Sequence, residues 1–566
     1  MQKRHTTSSN NDNNLQRDSS PSRPSSSTRL SQLSARPGMI SRRRLLIALG
    51  AGATIFILLH FISFSGSPAG SLPGFATRSS TSRRTDAQQI SARRQRLIQG
   101  SSSSSSSGIG PANFSDLAPF TFCPTFGEGD ELGQVYGQQA ILKTRTHIGS
   151  SDRVKRVLRR AMSGLPITVG ILGGSISSCH GLDATTAHPL GNPIGPNCYP
   201  HRIFSWLNDV FPHPANELTN GALRRTGTSY FGYCSAMHLP DRVDLVIVEF
   251  DTDDPHDQET IATTDLLIRS LLLRQDQPAV ILLGHFSPQL QSEHGFAGPE
   301  VWHSAVAHFY DVPHLSVKGL LYEEYLVNPE KVKQSYFIDP VLANAKGHEL
   351  LADTVISFLE SEICSVWDQA ALEADLAGLA PPIIGDSGFS KSESLSMTGS
   401  NANTAPSYSK IPSFRIHDKP HTISSFREIK PNCASANDLI NPLPQSVFIN
   451  SGWEPIAPKI DAEDERHYWY SEKGGSLIKI PLKVEGGDIA VYYQKGPRKD
   501  GWGSVKCWVD DNTAGGVELQ GYWDNDFVRP VVTRIDQGVG KGSHYVVCEL
   551  QPKEKTKFKI YGIFST

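Results

Sequence analysis

The sequence predicts three structural parts: a single membrane-spanning helix, then an α/β domain on a parallel sheet, then an antiparallel β-sandwich. Three observations carry this. Residues 45–64, "LLIALGAGATIFILLHFISF", form twenty mostly apolar positions without a formal charge. From about residue 114 to 367, apolar runs alternate with amphipathic stretches. Beyond 425, short β-type runs are separated by Gly, Asp and Asn turns, with no helical periodicity.

The apolar run matches the ~30 Å hydrocarbon core at 1.5 Å per helical residue. Ahead of it, residues 1–44 carry nine Lys/Arg against Asp12 and Asp18 and are rich in Ser, Asn, Pro and Gln. Such a composition cannot bury enough apolar surface to offset ordering entropy and predicts a disordered tail. Arg42, Arg43 and Arg44 abut the apolar run, so the positive-inside rule puts the tail in the cytosol and the rest of the chain in the lumen of the secretory pathway. A type II protein of the Golgi and secretory pathway, touching membrane lipid through 45–64, is expected. Residues 65–113 read as a Ser-rich stem, ending near the seven-serine run 101–107.

All eight cysteines follow the anchor, which favours disulfides on the oxidising side; eight cysteines allow 105 pairings, and spacing does not choose among them. Asn113-Phe-Ser115 is an N-glycosylation sequon on the same side. No Cys-x-x-Cys pair is present, and neither a metal nor an organic cofactor is expected. A net charge of -3 gives no basis for binding nucleic acid.

Within 114–367 the runs "PITVGIL" (166–172), "VDLVIVEF" (243–250) and "PAVILLGHF" (278–286) are continuous rather than alternating. That is the mark of strands buried on both faces, as in a parallel sheet with crossover helices; 201–211, 258–274 and 346–362 read as those helices. Residues 368–424 predict a linker, dense in Ser, Asn, Thr, Pro and Gly over 386–413. Residues 425–566 predict the sandwich through "SVFIN", "RHYWYS", "GSLIKIPLKV", "GDIAVYYQ", "SVKCWVD", "SHYVVCEL" and "KFKIYGIF". Its Trp453, Trp469, Trp502, Trp508 and Trp523, with Tyr468, Tyr470, Tyr492 and Tyr493, suit either a sandwich core or stacking against sugar rings.

In an open parallel sheet the working residues sit at the carboxyl ends of strands. The first such loop is "GILGGSISSCHG", which brings Ser175 to the sheet edge as a candidate nucleophile. "TNGALRRTGTSYFGYC", "DLVIVEFDTDDPHD" and "FIDPVLANAKGHELLAD" follow. This order resembles the SGNH (GDSL-type) hydrolases, a three-layer α/β fold. It is similar within them to a group of fungal membrane-anchored proteins described as capsule-associated. The resemblance rests on "FCPTFGEGDELGQVYG", "SDRVKRVLRRAMSGLPITVGILGGSIS", "GPNCYPHRIFSWLNDVFPHP", "NGALRRTGTSYFGYC" and "KGHELLAD", and spans about 114–566 apart from the linker. It implies ester hydrolysis or acyl transfer on a glycan, with a polysaccharide ligand and a partner enzyme of glycan synthesis.

Carried over by position, the resemblance makes Ser175 the nucleophile and an oxyanion donor through its N–H. Gly221 becomes a second oxyanion donor, and Asp339 the aspartate that orients the base. Asp253 stands where the family has an asparagine oxyanion donor, and Leu342 where it has the catalytic histidine. Leucine accepts no proton, and general-base help is typically worth about 10²–10⁴-fold. A carboxylate in place of the asparagine is acceptor-only, and one lost oxyanion donor alone costs about 10²–10³-fold. The expectation is a degenerate, non-hydrolysing member that binds a glycan or joins a complex. One alternative is a working O-acyl esterase or acetyltransferase with a relocated base. His285, at the end of a strand, is the first candidate, followed by His180 and His256; His348 lacks an acid at 345 and reads as structural. The other alternative is a glycosyltransferase holding a metal through Asp251 and Asp253.

Overall fold

The computed structural model describes residues 118–380, 382–385, 411–420, 426–437, 449–458, 466–552 and 556–566. The expected tail, anchor, stem and Asn113 sequon lie outside them. Among the described residues no helix is long and apolar enough to cross a membrane.

The first half runs α1 (Glu131–Tyr136), α2 (Gln138–Lys143), β1 (Arg145–His147), α3 (Asp152–Met162), β2 (Thr168–Gly173), α4 (Tyr199–Val210), β3 (Glu217–Asn220) and α5 (Thr228–Cys234). It continues with β4 (Leu245–Glu249), α6 (Glu259–Leu272), β5 (Ala279–Gly284), α7 (Pro288–His294), α8 (Glu300–Tyr310), β6 (His314–Ser316), α9 (Lys318–Val327), α10 (Pro329–Tyr336) and α11 (Ala345–Leu376). The sheet order is β1-β6-β5-β4-β2-β3; β3, β2, β4, β5 and β6 are parallel and β1 is antiparallel to β6.

The continuous apolar runs are explained by two layers. Ile171, Ile247 and Ile281 pack under α3, α4 and α11, while Leu172, Val246, Val248 and Leu282 pack under α5, α6 and α8. With both faces covered, no position in these strands is left for a solvent-facing polar residue. The chain leaves β2 toward β3 on one side and then crosses to β4 on the other. The β2/β4 boundary is therefore the switch point, where the following loops part and open a crevice at the strands' carboxyl ends.

α11 is longer than its sequence pattern indicated. It starts on Asn344, whose side chain accepts the N–H groups of Lys346 and Gly347, and it runs nine residues past Trp367. The stretch read as linker also includes an ordered strap. Arg415 Nη1 donates to Asp265 Oδ2 (2.8 Å), and Arg269 pairs with Glu428 and donates to the Pro412 carbonyl (2.9 Å).

The second half is a two-sheet sandwich of β7 (Asn432–Ser435), β8 (Ile449–Ser451), β9 (Glu454–Ile456), β10 (Tyr468–Ser471), β11 (Leu477–Val484), β12 (Gly487–Pro497), β13 (Ser504–Val509), β14 (Val517–Gln520), β15 (Tyr522–Trp523), β16 (Arg529–Val539), β17 (Gly542–Leu550) and β18 (Phe558–Ser565). One sheet runs β15-β12-β18-β10-β9, with β16 on β12 and β7 on β18; the other runs β14-β13-β17-β11-β8. Trp453, Trp469 and Tyr493 fill its core. Tyr492, Tyr561 and Phe564 instead pack with Tyr230 and Phe231 of α5, so the two halves share apolar burial.

Four disulfides join Cys123–Cys364, Cys179–Cys198, Cys234–Cys433 and Cys507–Cys548. The third staples α5 to β7 across 199 residues of sequence.

Candidate functional site

β2 ends in Gly173-Gly174-Ser175, and β4 ends just before Asp251-Thr252-Asp253-Asp254, so both loops reach the switch point. A Cβ on Gly174 would overlap the carboxylate of Asp253, and one on Gly173 would overlap the side chain of Ser177. The two glycines are what lets the loops close onto each other.

In that closure Asp253 takes hold of Ser175. The Ser175 N–H donates to Asp253 Oδ2 (2.8 Å) and its Oγ donates to Oδ1 (3.2 Å). Thr252 Oγ1 adds a third hydrogen bond to Oδ2 (3.0 Å). Burial raises the Asp253 pKa to about 6, with repulsion from Asp254 adding to it and the three hydrogen bonds opposing it. The N–H that an oxyanion would need is thereby occupied by an acceptor-only group.

The second expected oxyanion donor is also committed elsewhere. The Gly221 N–H donates to the Ile171 carbonyl (3.0 Å), extending the β2–β3 ladder, so it does not face the serine. The backbone amide that does is Arg225, donating to Ser175 Oγ at 3.1 Å. Arg225 has φ 53, the left-handed region that a side chain makes costly. Its carbonyl receives Arg466 Nη1 of the sandwich at 3.5 Å, so the second half reaches the edge of this site.

No histidine nitrogen hydrogen-bonds to Ser175 Oγ among the described residues. Leu342 is buried in the core cluster with Phe337 and Leu350. Asp339 Oδ1 accepts the N–H groups of Val341 and Leu342, both at 2.7 Å; it closes its own loop and orients no imidazole. His285 is buried below that loop. Its backbone N–H donates to Asp251 Oδ2 (3.0 Å) and its Nε2 to the Val341 carbonyl (3.2 Å), while Nδ1 has no partner. Burial lowers its pKa to about 4, so the ring is neutral. It braces the 339–342 loop and makes no bond to Ser175.

The other histidines are similarly engaged. His180 donates its backbone N–H to the Ser175 carbonyl (3.3 Å), and its ring spans the Leu190 carbonyl (2.8 Å) and Arg224 Nη2 (3.0 Å). Burial, then Arg224 and Arg225, lower its pKa. His256 packs against His294 and Trp302. His348 is buried beside Tyr199 and accepts its N–H at 3.3 Å.

Asp251 and Asp253 do not converge on one point. Asp251 Oδ1 receives His303 Nδ1 (2.9 Å) and Asp254 Oδ2 receives His303 Nε2 (2.8 Å). Burial opposes charging His303, but the two carboxylates outweigh it and raise its pKa to about 10, making it a buried imidazolium clamp. Asp254 Oδ1 also accepts the Thr228 N–H (2.7 Å) at the start of α5. Asp251 and Asp253 therefore face different partners, and they form no Asp-x-Asp metal grip. Neither His303 nor Arg225 is singled out by sequence, because each is brought in from an element distant along the chain.

No family model matches the chain, and no curated protein does. Among solved structures, a two-domain esterase (CEX) active on acetylated mannans has 18% identity and a TM-score of 0.52, covering 75% of this chain and 98% of that one. The same esterase co-crystallised with mannopentaose gives 18% and 0.51, over 75% and 97%. A member of the lipolytic G-D-S-L family from Veillonella parvula has 13% identity and a TM-score of 0.25, over 34% and 96%. The fold is a parallel-sheet α/β domain followed by an antiparallel β-sandwich, an architecture similar to that of the two-domain esterase. The likeness extends to the architecture of both halves.

Proposed function

We propose that this chain is a non-hydrolysing member of the carbohydrate-esterase type, a glycan-binding protein whose SGNH-like domain no longer cleaves esters. The observation that carries this is the double hydrogen bond from Ser175 to Asp253, in a site whose histidine position is the buried Leu342. A serine hydroxyl needs a base to become a nucleophile near neutral pH. A carboxylate on its N–H repels the negative charge that an acyl-transfer intermediate develops. The two-domain neighbour acts on acetylated mannans, which makes an O-acylated or plain polysaccharide the ligand class of choice here. We further propose that the chain is a type II membrane protein, anchored through 45–64 with its folded domains in the secretory lumen. Partnership with an enzyme of capsule or cell-wall glycan synthesis belongs to the same reading.

The test treats purified protein with a fluorophosphonate probe and with 4-nitrophenyl acetate. The expected outcome is no labelling and no turnover above a Ser175→Ala control. Labelling that vanishes in Ser175→Ala would show a working nucleophile; if it also vanished in His285→Ala, the relocated-base alternative would replace the present one.

A further inference from the structure

The sandwich carries a surface feature that its own packing does not need. After β14 the chain forms the two-residue strand β15 beside Gly496 and Pro497 of β12, then turns through 524–528. Phe527 stands on this turn with 55% of its surface exposed. Its ring meets Trp523 edge-to-face at 4.8 Å and 67°. The indole is locked, since Nε1–H donates to the Phe527 carbonyl at 2.8 Å. Next to it the Arg498 guanidinium lies 4.4 Å over the ring of Tyr522.

The polar rim is equally fixed. Arg498 Nε donates to Asp524 Oδ1 (2.7 Å) and Lys499 Nζ to Asp526 Oδ1 (2.7 Å). Both carboxylate side chains remain more than four-fifths exposed, so their other lone pairs face solvent. Exposed pairs of this kind contribute little to stability. An exposed phenyl ring likewise forgoes the burial that normally makes it useful.

We propose that this corner, built from Tyr522, Trp523, Phe527, Arg498, Asp524 and Asp526, is a binding site for a pyranose ring of a neutral polysaccharide. A sugar ring presents an apolar C–H face and a belt of hydroxyls; the aromatic edge takes the first and the fixed carboxylates and guanidinium take the second. Arg498 and the adjoining Lys499 balance Asp524 and Asp526, so the corner has no net charge to favour a polyuronate. Size argues against a protein partner. Three partly exposed aromatics offer a few hundred Å² at most, against about 800 Å² per side in a stable protein interface. This proposal rests on the chain's being a glycan binder and adds the place where the binding occurs.

The test is affinity electrophoresis of the full chain through gels containing mannan, β-glucan or xylan, beside a polygalacturonate gel and a polysaccharide-free gel. At least one neutral polysaccharide should retard the protein. Phe527→Ala should weaken that retardation by about three- to tenfold in apparent affinity, with Phe527→Tyr retaining it. Phe527 is exposed, so an unchanged melting curve will separate lost binding from lost folding. Retardation equal in the natural chain and Phe527→Ala overturns this site and leaves the glycan-binding function standing. Absence of retardation in every polysaccharide gel, polygalacturonate included, sinks both. Retardation by polygalacturonate alone overturns the neutral-ligand assignment, and a Phe527→Ala effect confined to self-association in sedimentation points to a protein contact instead.

Discussion

Two carboxylate sites on the same four-residue run end in opposite electrostatic states. Asp251 and Asp254 enclose an imidazolium, and each carboxylate also accepts a backbone N–H. Asp253, between them in sequence, holds only hydroxyl and amide donors, with no cation against it. The first arrangement is a structural clamp joining the loop after β4 to α8. The second leaves a carboxylate whose ionised form is not fully compensated, hydrogen-bonded to the N–H and Oγ of Ser175. Buried charge that is structural is paired, and Asp253 is the exception on this loop.

The largest effect is expected from breaking the clamp. His303→Leu leaves two buried carboxylates without their cation and should cost about 3–5 kcal/mol, read as a lower denaturant midpoint. The clamp also predicts a pH window. The folded pKa of His303 is near 10, above its unfolded value of about 6.5. Its stabilisation is therefore complete below about pH 6.5 and fades as pH rises toward 10. A natural protein as stable at pH 10 as at pH 6.5 would contradict the pairing.

Next in size is the staple between the halves. Removing Cys234–Cys433 by a double serine substitution should lower stability by about 2–4 kcal/mol in a closed loop this long, with the first loss in the strap and β7 by hydrogen exchange.

Smaller, and opposite in sign, is Asp253→Asn. Asp253 has its pKa raised from 3.8 to about 6, so its favourable contribution is present below about pH 4 and lost as pH passes 6. The amide can still accept from the Ser175 N–H while carrying no charge. The variant should gain about 1–2 kcal/mol at pH 7.5 and nothing at pH 4, as measured by urea titration at the two values. A loss at pH 7.5 would mean the carboxylate is compensated after all.

Much of this architecture is legible in the residues, and the limits have physical causes. The both-face burial of β2, β4 and β5 is written as unbroken apolar runs, and the strands of the second half as β-branched and aromatic runs between turns. β16 escapes because "RPVVTRIDQGV" is mostly half-buried, without a clear apolar alternation, and holds a proline, a glycine and charges. The strap at 411–418 escapes because its partners Asp265 and Arg269 lie about 150 residues away. Within the site, Ser175, Asp253 and Leu342 are legible as positions, since each follows a strand or precedes a helix. What Asp253 grips, and that Arg225 rather than Gly221 faces the serine hydroxyl, depends on how two loops meet. No local pattern encodes that.

The central proposal is that Ser175 is silenced by Asp253 and Leu342 together. The most direct measurement is fluorophosphonate labelling of the natural chain beside an Asp253→Asn/Leu342→His double variant, each with Ser175→Ala as control. The account predicts no Ser175-dependent labelling of the natural chain and its appearance in the double variant. Ser175-dependent labelling of the natural chain would contradict it.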